Sequence, residues 1–210
     1  MLERLLLASC GVVFGTACVD PGASFDAFVD RAAAVHRPEP DASADAAACE
    51  VHAGDIDGQY LLAISVTLAP TKPIAVLADV TTPLFDGGIG ISFDAQPLSA
   101  ADRKTPVGSK LALGPFPIDS NGTFRADLPG LEVTGAANPV TGGDITANLV
   151  LTGSLCGDRR FFCGEVSGNV EKPLPLDLAG STFTLTKVEA PGAFPARPAI
   201  DCVGTLADPL

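Results

Sequence analysis

Histidines and carboxylates are the first candidates for chemistry in this chain of 210 residues, and histidine is scarce. His36 and His52 are its only histidines, and His52 is followed by Asp55 and Asp57. A nucleophile activated by His52 is not supported by any motif, because the sequence has no G-x-S-x-G elbow and no H-E-x-x-H zinc motif. An EF-hand calcium loop beginning at Asp55 would need glycine at its sixth position, where Tyr60 stands. We therefore predict no catalytic residue, no metal site and no cofactor, and interpret Asp55 and Asp57 as turn carboxylates.

Cysteine is the next reactive residue type, and its six copies fall into two groups. Cys10 and Cys18 lie in the apolar start of the chain. The other four are spread over the remainder: Cys49, Cys156, Cys163 and Cys202. The start combines a short charged segment, an uncharged run over residues 5–17 and small residues before Cys18, which is typical of a secretory signal. Because a membrane-spanning helix needs about 20 apolar residues, we predict a signal peptide over residues 1–17 instead.

Residues 15–18, Gly-Thr-Ala-Cys, resemble the cleavage box of bacterial lipoprotein signals, in which the cysteine after the cut is acylated. Residues 7–10, Leu-Ala-Ser-Cys, match the usual letters of that box more closely but leave few residues before the cut. The resemblance implies a lipid on Cys18, with Cys10 or simple cleavage as alternatives, and membrane attachment through that lipid. Val19 follows Cys18, and by resemblance to enterobacterial sorting this permits transfer to the outer membrane. The expected location is the bacterial cell envelope, on the periplasmic or surface face of the outer membrane.

The four remaining cysteines predict two disulfide bonds, because an even number in an exported chain usually forms a disulfide framework. Cys156 and Cys163 both fall on the polar faces of neighbouring predicted strands. Placing them directly opposite each other across a hairpin is consistent with both faces. We predict a Cys156–Cys163 bridge, which leaves Cys49 and Cys202 to join the two ends of the domain.

Two kinds of segment follow the predicted signal. Residues 24–34 have apolar side chains at helical spacing, and Pro38 and Pro40 end that pattern. The following tract, RPEPDASADAAA, has the composition of a flexible tether. We predict that residues 18–48 form a lipid-anchored tether with a short helix.

Residues 49–207 show apolar and polar residues in alternation, the pattern of half-buried strands. Eight such runs are separated by short turns, and Asn121-Gly122 has the composition of a tight hairpin. We predict an all-β domain built as an antiparallel barrel of about eight strands, with a β-sandwich as the alternative. Gly153, Gly164 and Gly168 fall on inner faces, where they would allow strands to bend.

Gly58-Gln59-Tyr60, followed by an alternating strand, resembles the G-x-W opening of lipocalin-type barrels. The resemblance implies an interior that binds a small apolar ligand. Its lining would then include Tyr60, Leu62, Ile64, Phe93, Phe124 and Phe162. The alternative is that the same side chains fill a solid core, since barrels of eight strands can do either.

The formal net charge of −12 predicts that nucleic acid is not a partner, because an acidic surface repels phosphates. Most of the chain, including a stretch like FFCGxVxG at residues 161–168, also resembles uncharacterised lipoproteins of myxobacteria, and that resemblance implies no activity. The sequence thus favours a cell-envelope lipoprotein whose β domain is not an enzyme but binds or interacts, with a membrane, a protein or a small apolar ligand as partner. The alternative is a lipocalin-like carrier of a small apolar ligand.

Overall fold

A computed structural model describes residues 49–190 and 192–210, so the predicted signal peptide, Cys18 and the helix over residues 24–34 lie outside the described residues. Ten strands follow one another along the chain: β1 (Gly58–Ser65), β2 (Ile74–Thr81), β3 (Leu84–Phe85), β4 (Gly88–Pro97), β5 (Leu111–Ile118), β6 (Thr123–Val133), β7 (Ile145–Ser154), β8 (Phe161–Lys172), β9 (Leu176–Asp177) and β10 (Ser181–Lys187). A 3-10 turn, Gly135–Ala137, precedes β7. Over the described residues, no helix has the length and apolar character needed to cross a membrane.

The eight longer strands form a closed antiparallel barrel. Each pairs with the next along the chain in the order β1, β2, β4, β5, β6, β7 and β8, and β10 pairs with both β8 and β1 to complete the ring. The two-residue strands β3 and β9 pair only with β4 and β8 and lie outside the ring. This arrangement confirms the predicted barrel and excludes the sandwich, because a closed ring leaves no free edge among its members.

Alternation of side chains explains why these segments close around one core. In β7, for example, Ala147, Leu149 and Leu151 point inward and are buried, whereas Thr152 is exposed. Strand β1 departs from this pattern, since Leu61 on its outer face is also buried. A second apolar cluster outside the ring covers that face.

The outer cover of β1 comes from the C-terminal strap, which we define as residues 188–190 and 192–210. Val188 and Phe194 of the strap pack with Leu61 in the second cluster. Buried Arg103, from the β4–β5 loop, donates a hydrogen bond of 2.9 Å to the Asp208 carbonyl. The Asp208 backbone N–H donates to the carbonyl of Thr71 in the β1–β2 loop. The strap therefore ties two loops at one end of the barrel to each other.

Phe183 is held in place by two glycines on the facing strands. Gly153 and Gly164 lie opposite each other in the β7–β8 ladder, and Gly164 is also paired with Phe183. A Cβ atom would lie 2.7 Å from the Phe183 ring at Gly153 and 2.6 Å from it at Gly164. These two glycines leave space for an aromatic ring inside the barrel, a role more specific than the predicted strand bending.

All four described cysteines form disulfides, as predicted, but the predicted pairing of Cys156 with Cys163 and of Cys49 with Cys202 is wrong. The bridges join Cys49 to Cys156 and Cys163 to Cys202. Cys163 is paired with Ser154 rather than Cys156, because the β7–β8 ladder ends there.

Each bridge has a local cause. Cys156 lies two residues beyond the ladder and turns toward the β5–β6 hairpin, where its sulfur is 2.9 Å from the Asn121 carbonyl. The second bridge forms on the other side of β8, where β10 lies beside Cys163. Thr184 of β10 donates a hydrogen bond of 2.7 Å to the Ala199 carbonyl, which brings the strap and Cys202 close to Cys163.

Candidate functional site

The barrel has a filled half and an open half. The filled half lies at the end that carries the β5–β6 and β7–β8 turns, and aromatic rings occupy it. The Tyr60 and Phe162 ring centroids are 5.7 Å apart, and those of Phe124 and Phe183 are 6.1 Å apart. All four side chains are buried. Phe183 lies between the halves, because it touches this aromatic cluster and also lines the space beyond it.

The open half contains an apolar cavity of about 120 Å³, which we call the cup. It opens between the loops at the end opposite the β5–β6 turn. Six residues that represent its wall come from different strands: Leu62, Phe93, Leu113, Leu128, Leu149 and Leu185. Leu68 and Leu174 stand at the rim with 58% and 63% of their surface exposed. These two exposed leucines extend the apolar lining of the cavity to the solvent.

The cup offers no chemistry beyond apolar contact. Among the residues that the structure describes, its only polar lining side chains are Asn138 and Thr141, which belong to the β6–β7 loop. Asn138 donates to the Thr141 hydroxyl and to the Gly143 carbonyl, and its own side-chain oxygen accepts from two backbone N–H groups. Both side chains are therefore committed to holding the loop. No titratable side chain of the described chain lines the cavity.

The residues predicted to line a ligand site are divided between the two halves. Leu62, Ile64 and Phe93 line the cup. Tyr60, Phe124 and Phe162 pack in the filled half and do not line it.

The rim residues were not identified as binding residues from the sequence. Leu68 belongs to an apolar run that continues from β1, but the strand ends at Ser65 and Leu68 lies in the following loop. Leu174 lies between two prolines, and such a leucine outside any strand is the one signal that would have marked the rim.

Tyr60 anchors the filled half. Its hydroxyl oxygen lies 3.0 Å from the carbonyl oxygens of both Ile56 and Arg159. Burial raises the pKa of Tyr60 to about 12, and the negative charges of Asp57, Asp158 and Glu189 add to the shift. This site stabilises the neutral phenol. Through its hydroxyl, Tyr60 joins the segment just before β1 to the β7–β8 turn.

The histidine and carboxylates considered for chemistry do not converge. The His52 ring is exposed and lies 3.8 Å from the Glu50 carboxylate. Asp55 accepts hydrogen bonds from the His52 backbone N–H and from Arg159, at 3.0 and 3.1 Å. Asp57 accepts from the backbone and hydroxyl of buried Thr82. Within the described ranges, no group of three histidine, cysteine or acidic residues could hold a metal ion.

Comparisons with known proteins give no further assignment. The chain matches no protein-family model, no curated protein and no solved structure.

Proposed function

We propose that residues 49–210 form a non-enzymatic binding domain whose cup takes in the end of an apolar chain. The observation that carries this proposal is the open cavity of about 120 Å³ with an almost wholly apolar wall. Burying apolar surface is favourable without any directional contact, so such a wall selects for hydrocarbon rather than for a particular polar group. The two exposed rim leucines extend the apolar surface toward the solvent.

The size of the cup limits what it encloses. Pockets for drug-sized ligands have volumes of about 300–1,000 Å³, whereas an enclosed apolar cavity of about 150 Å³ accommodates benzene. A cavity of about 120 Å³ therefore holds part of a chain, and the rest of that chain lies against the rim. This favours a binding domain over the second candidate, a carrier that encloses its whole ligand. A carrier would require the loops around the mouth to move outward on binding.

The proposed setting is the bacterial cell envelope, with the domain attached to the outer membrane by a lipid on Cys18. Two disulfide bonds support an oxidising compartment, because cytosolic thiols are kept reduced. The signal-like start and the lipoprotein-like residues before Cys18 support export and acylation. Mass spectrometry of the protein from bacterial membranes tests this setting, and an unmodified Cys18 would refute the anchor.

Displacement of the fluorescent apolar probe N-phenyl-1-naphthylamine by straight-chain alcohols tests the binding proposal. Each buried methylene contributes about 0.8 kcal/mol of binding free energy, so affinity should rise roughly fourfold per carbon and then level off once the cup is full. Measurements use the exported full chain. A series in which affinity is independent of chain length would refute the proposal.

Two variants of the same strand locate the binding. Ala147 is buried in the cup wall, and Ala147→Leu should weaken probe binding at least tenfold because it fills the cavity. Thr152→Leu places the same side chain on the outer face of β7 and should leave binding unchanged. Ala95→Leu, from β4, should reproduce the loss. Circular dichroism checks that each variant is folded. Equal probe binding by the cup and outer-face variants would place the binding elsewhere.

A further inference from the structure

The lysines of this chain are concentrated at the mouth of the cup. The chain has five lysines, and the loops and strand ends of the open half carry four of them: Lys72, Lys104, Lys110 and Lys172. This placement contrasts with the net charge of the whole chain, which is −12.

Three of these lysines lie within two residues of the cup wall or rim along the chain. Lys110 immediately precedes Leu111, and Lys172 precedes Pro173, both of which line the cup. Lys72 is two residues before Ile74, which also lines it. The three come from the β1–β2 loop, the start of β5 and the end of β8, so they are distributed around the mouth. We call Lys72, Lys110 and Lys172 the mouth lysines.

Within the described residues, no carboxylate forms an ion pair with a mouth lysine. Over the part of the chain that the structure describes, the ion pairs join Arg125, Arg159, Arg160 and His52 to acidic residues, and none includes a mouth lysine. All three are exposed. Their ammonium groups are therefore available to a ligand.

Acidic side chains of the β4–β5 loop, the β6–β7 loop and the C-terminal strap already accept hydrogen bonds. Asp102 accepts from the Thr105 hydroxyl and from two backbone N–H groups, and these hydrogen bonds lower its pKa to about 2. Asp144 accepts from the Gly135 backbone, and Asp208 accepts from the Thr71 hydroxyl. These carboxylates organise the loops, so their negative charge is partly compensated by hydrogen-bond donors.

We propose that the ligand of the cup is an anionic amphiphile, whose hydrocarbon end enters the cup and whose carboxylate or phosphate head lies among the mouth lysines. This rests on the proposed function of the cup and adds the charge class of its ligand. An ammonium group on a flexible stem suits such a head, because it can follow an acid group whose height above the cup varies with chain length. An acidic chain that binds an anion needs local positive charge to offset its overall repulsion, and the mouth lysines supply it.

The test compares two probes of equal chain length, dodecanoate and 1-dodecanol, below the concentrations at which they aggregate. Displacement from the full chain should show dodecanoate binding about tenfold more tightly, as expected for a few exposed charge pairs. The triple variant Lys72→Gln, Lys110→Gln, Lys172→Gln should lose that preference and leave dodecanol affinity unchanged. The corresponding arginine triple variant should retain it. Lys187→Gln, which changes the one lysine near the filled half, is the control for loss of a lysine outside the mouth and should retain the preference.

The outcomes distinguish apolar binding by the cup from the preference for an anionic ligand. Equal binding of the two probes, unchanged in the glutamine triple variant, would overturn the anionic ligand but leave apolar binding in place. Binding of neither probe would overturn both. A third arm uses vesicles of phosphatidylglycerol: lysine-dependent binding to vesicles without binding of monomeric dodecanoate would make the mouth a membrane-docking surface and overturn the ligand proposal. Added salt should weaken dodecanoate binding and leave dodecanol binding unaffected.

Discussion

The packing of Phe183 on Gly153 predicts a strong energetic coupling between the two positions. Gly153→Ala would place a Cβ atom 2.7 Å from the ring of Phe183 and 3.2 Å from both the Cys163 carbonyl and the Phe124 ring. Because these neighbours are backbone and buried aromatic rings, they cannot move aside easily. Overpacking of this kind costs about 1–3 kcal/mol, and replacing a strand glycine by alanine returns about 0.5–1 kcal/mol. The expected net loss of unfolding free energy is about 1–2 kcal/mol.

Removing the ring should reverse that penalty. Phe183→Ala alone should cost about 3–5 kcal/mol, because it deletes a fully buried aromatic side chain. In that background the nearest atoms to the new Cβ are 3.2 Å away, and the methyl group fills part of the vacated space. Gly153→Ala should then be neutral or stabilising by up to about 1 kcal/mol. The double-mutant cycle should therefore give a coupling of about 2 kcal/mol.

Guanidinium unfolding under non-reducing conditions measures all four proteins. The chain has one tyrosine and no tryptophan, so fluorescence reports Tyr60 alone and circular dichroism reports the barrel. Gly88→Ala is the matched control, since a Cβ there would meet only the Phe85 carbonyl at 3.8 Å. Its effect should be the same with and without Phe183. If Gly153→Ala costs the same in both backgrounds to within about 0.5 kcal/mol, the proposed steric role of the glycine is incorrect.

Three further measurements follow from contacts described above. Ultraviolet titration of Tyr60 should give a midpoint near pH 12 in the folded protein. Because folding raises this pKa, the stability that Tyr60 contributes is complete below pH 10 and is lost between pH 10 and 12. Tyr60→Phe should not show this loss of stability. Arg103→Met should lower the unfolding free energy by about 1.5–3 kcal/mol and speed amide exchange in the C-terminal strap, and unchanged exchange would contradict its anchoring role. Replacing Cys49 and Cys156 together by serine should cost about 4–5 kcal/mol in the chain-entropy estimate, and a non-reducing peptide map of the unaltered protein should link those two cysteines.

The alternation of side chains was sufficient to predict the barrel, because each strand has one face toward a common core. The Asn121-Gly122 segment, predicted to form a tight hairpin, is the turn between β5 and β6. Alternation carries no information about register in steps of two, since such a shift keeps every side chain on its face. The Cys156–Cys163 prediction failed for this reason, because Ser154 and Cys156 share a face and only the ladder shows which of them is opposite Cys163.

The cup could not be located from the sequence for a related reason. Whether an inward side chain fills the barrel or lines a cavity depends on which residues of other strands lie at the same height along the barrel axis. Phe183 of β10 meets Phe124 of β6, which is five strands away around one side of the ring and three around the other, and that contact closes the filled half. Burial of Leu61 on the outer face of β1 likewise depends on Val188 and Phe194, which are more than a hundred residues later. Non-local contacts of this kind leave no periodic pattern within the strand itself.

The two disulfides also determine how the domain would respond to tension along the chain. A pull applied at Cys49 and Cys202 passes from Cys49 to Cys156 through one covalent bridge and from Cys163 to Cys202 through the other. Only the seven residue steps from Cys156 to Cys163 lie on that load path, so the domain can lengthen to about 25 Å between the bridges. Without the bridges, the 153 steps from Cys49 to Cys202 could extend to about 550 Å. Every barrel strand except the first residues of β8 is mechanically bypassed, so a domain held by a tether and pulled from its other end would keep its load off the cup.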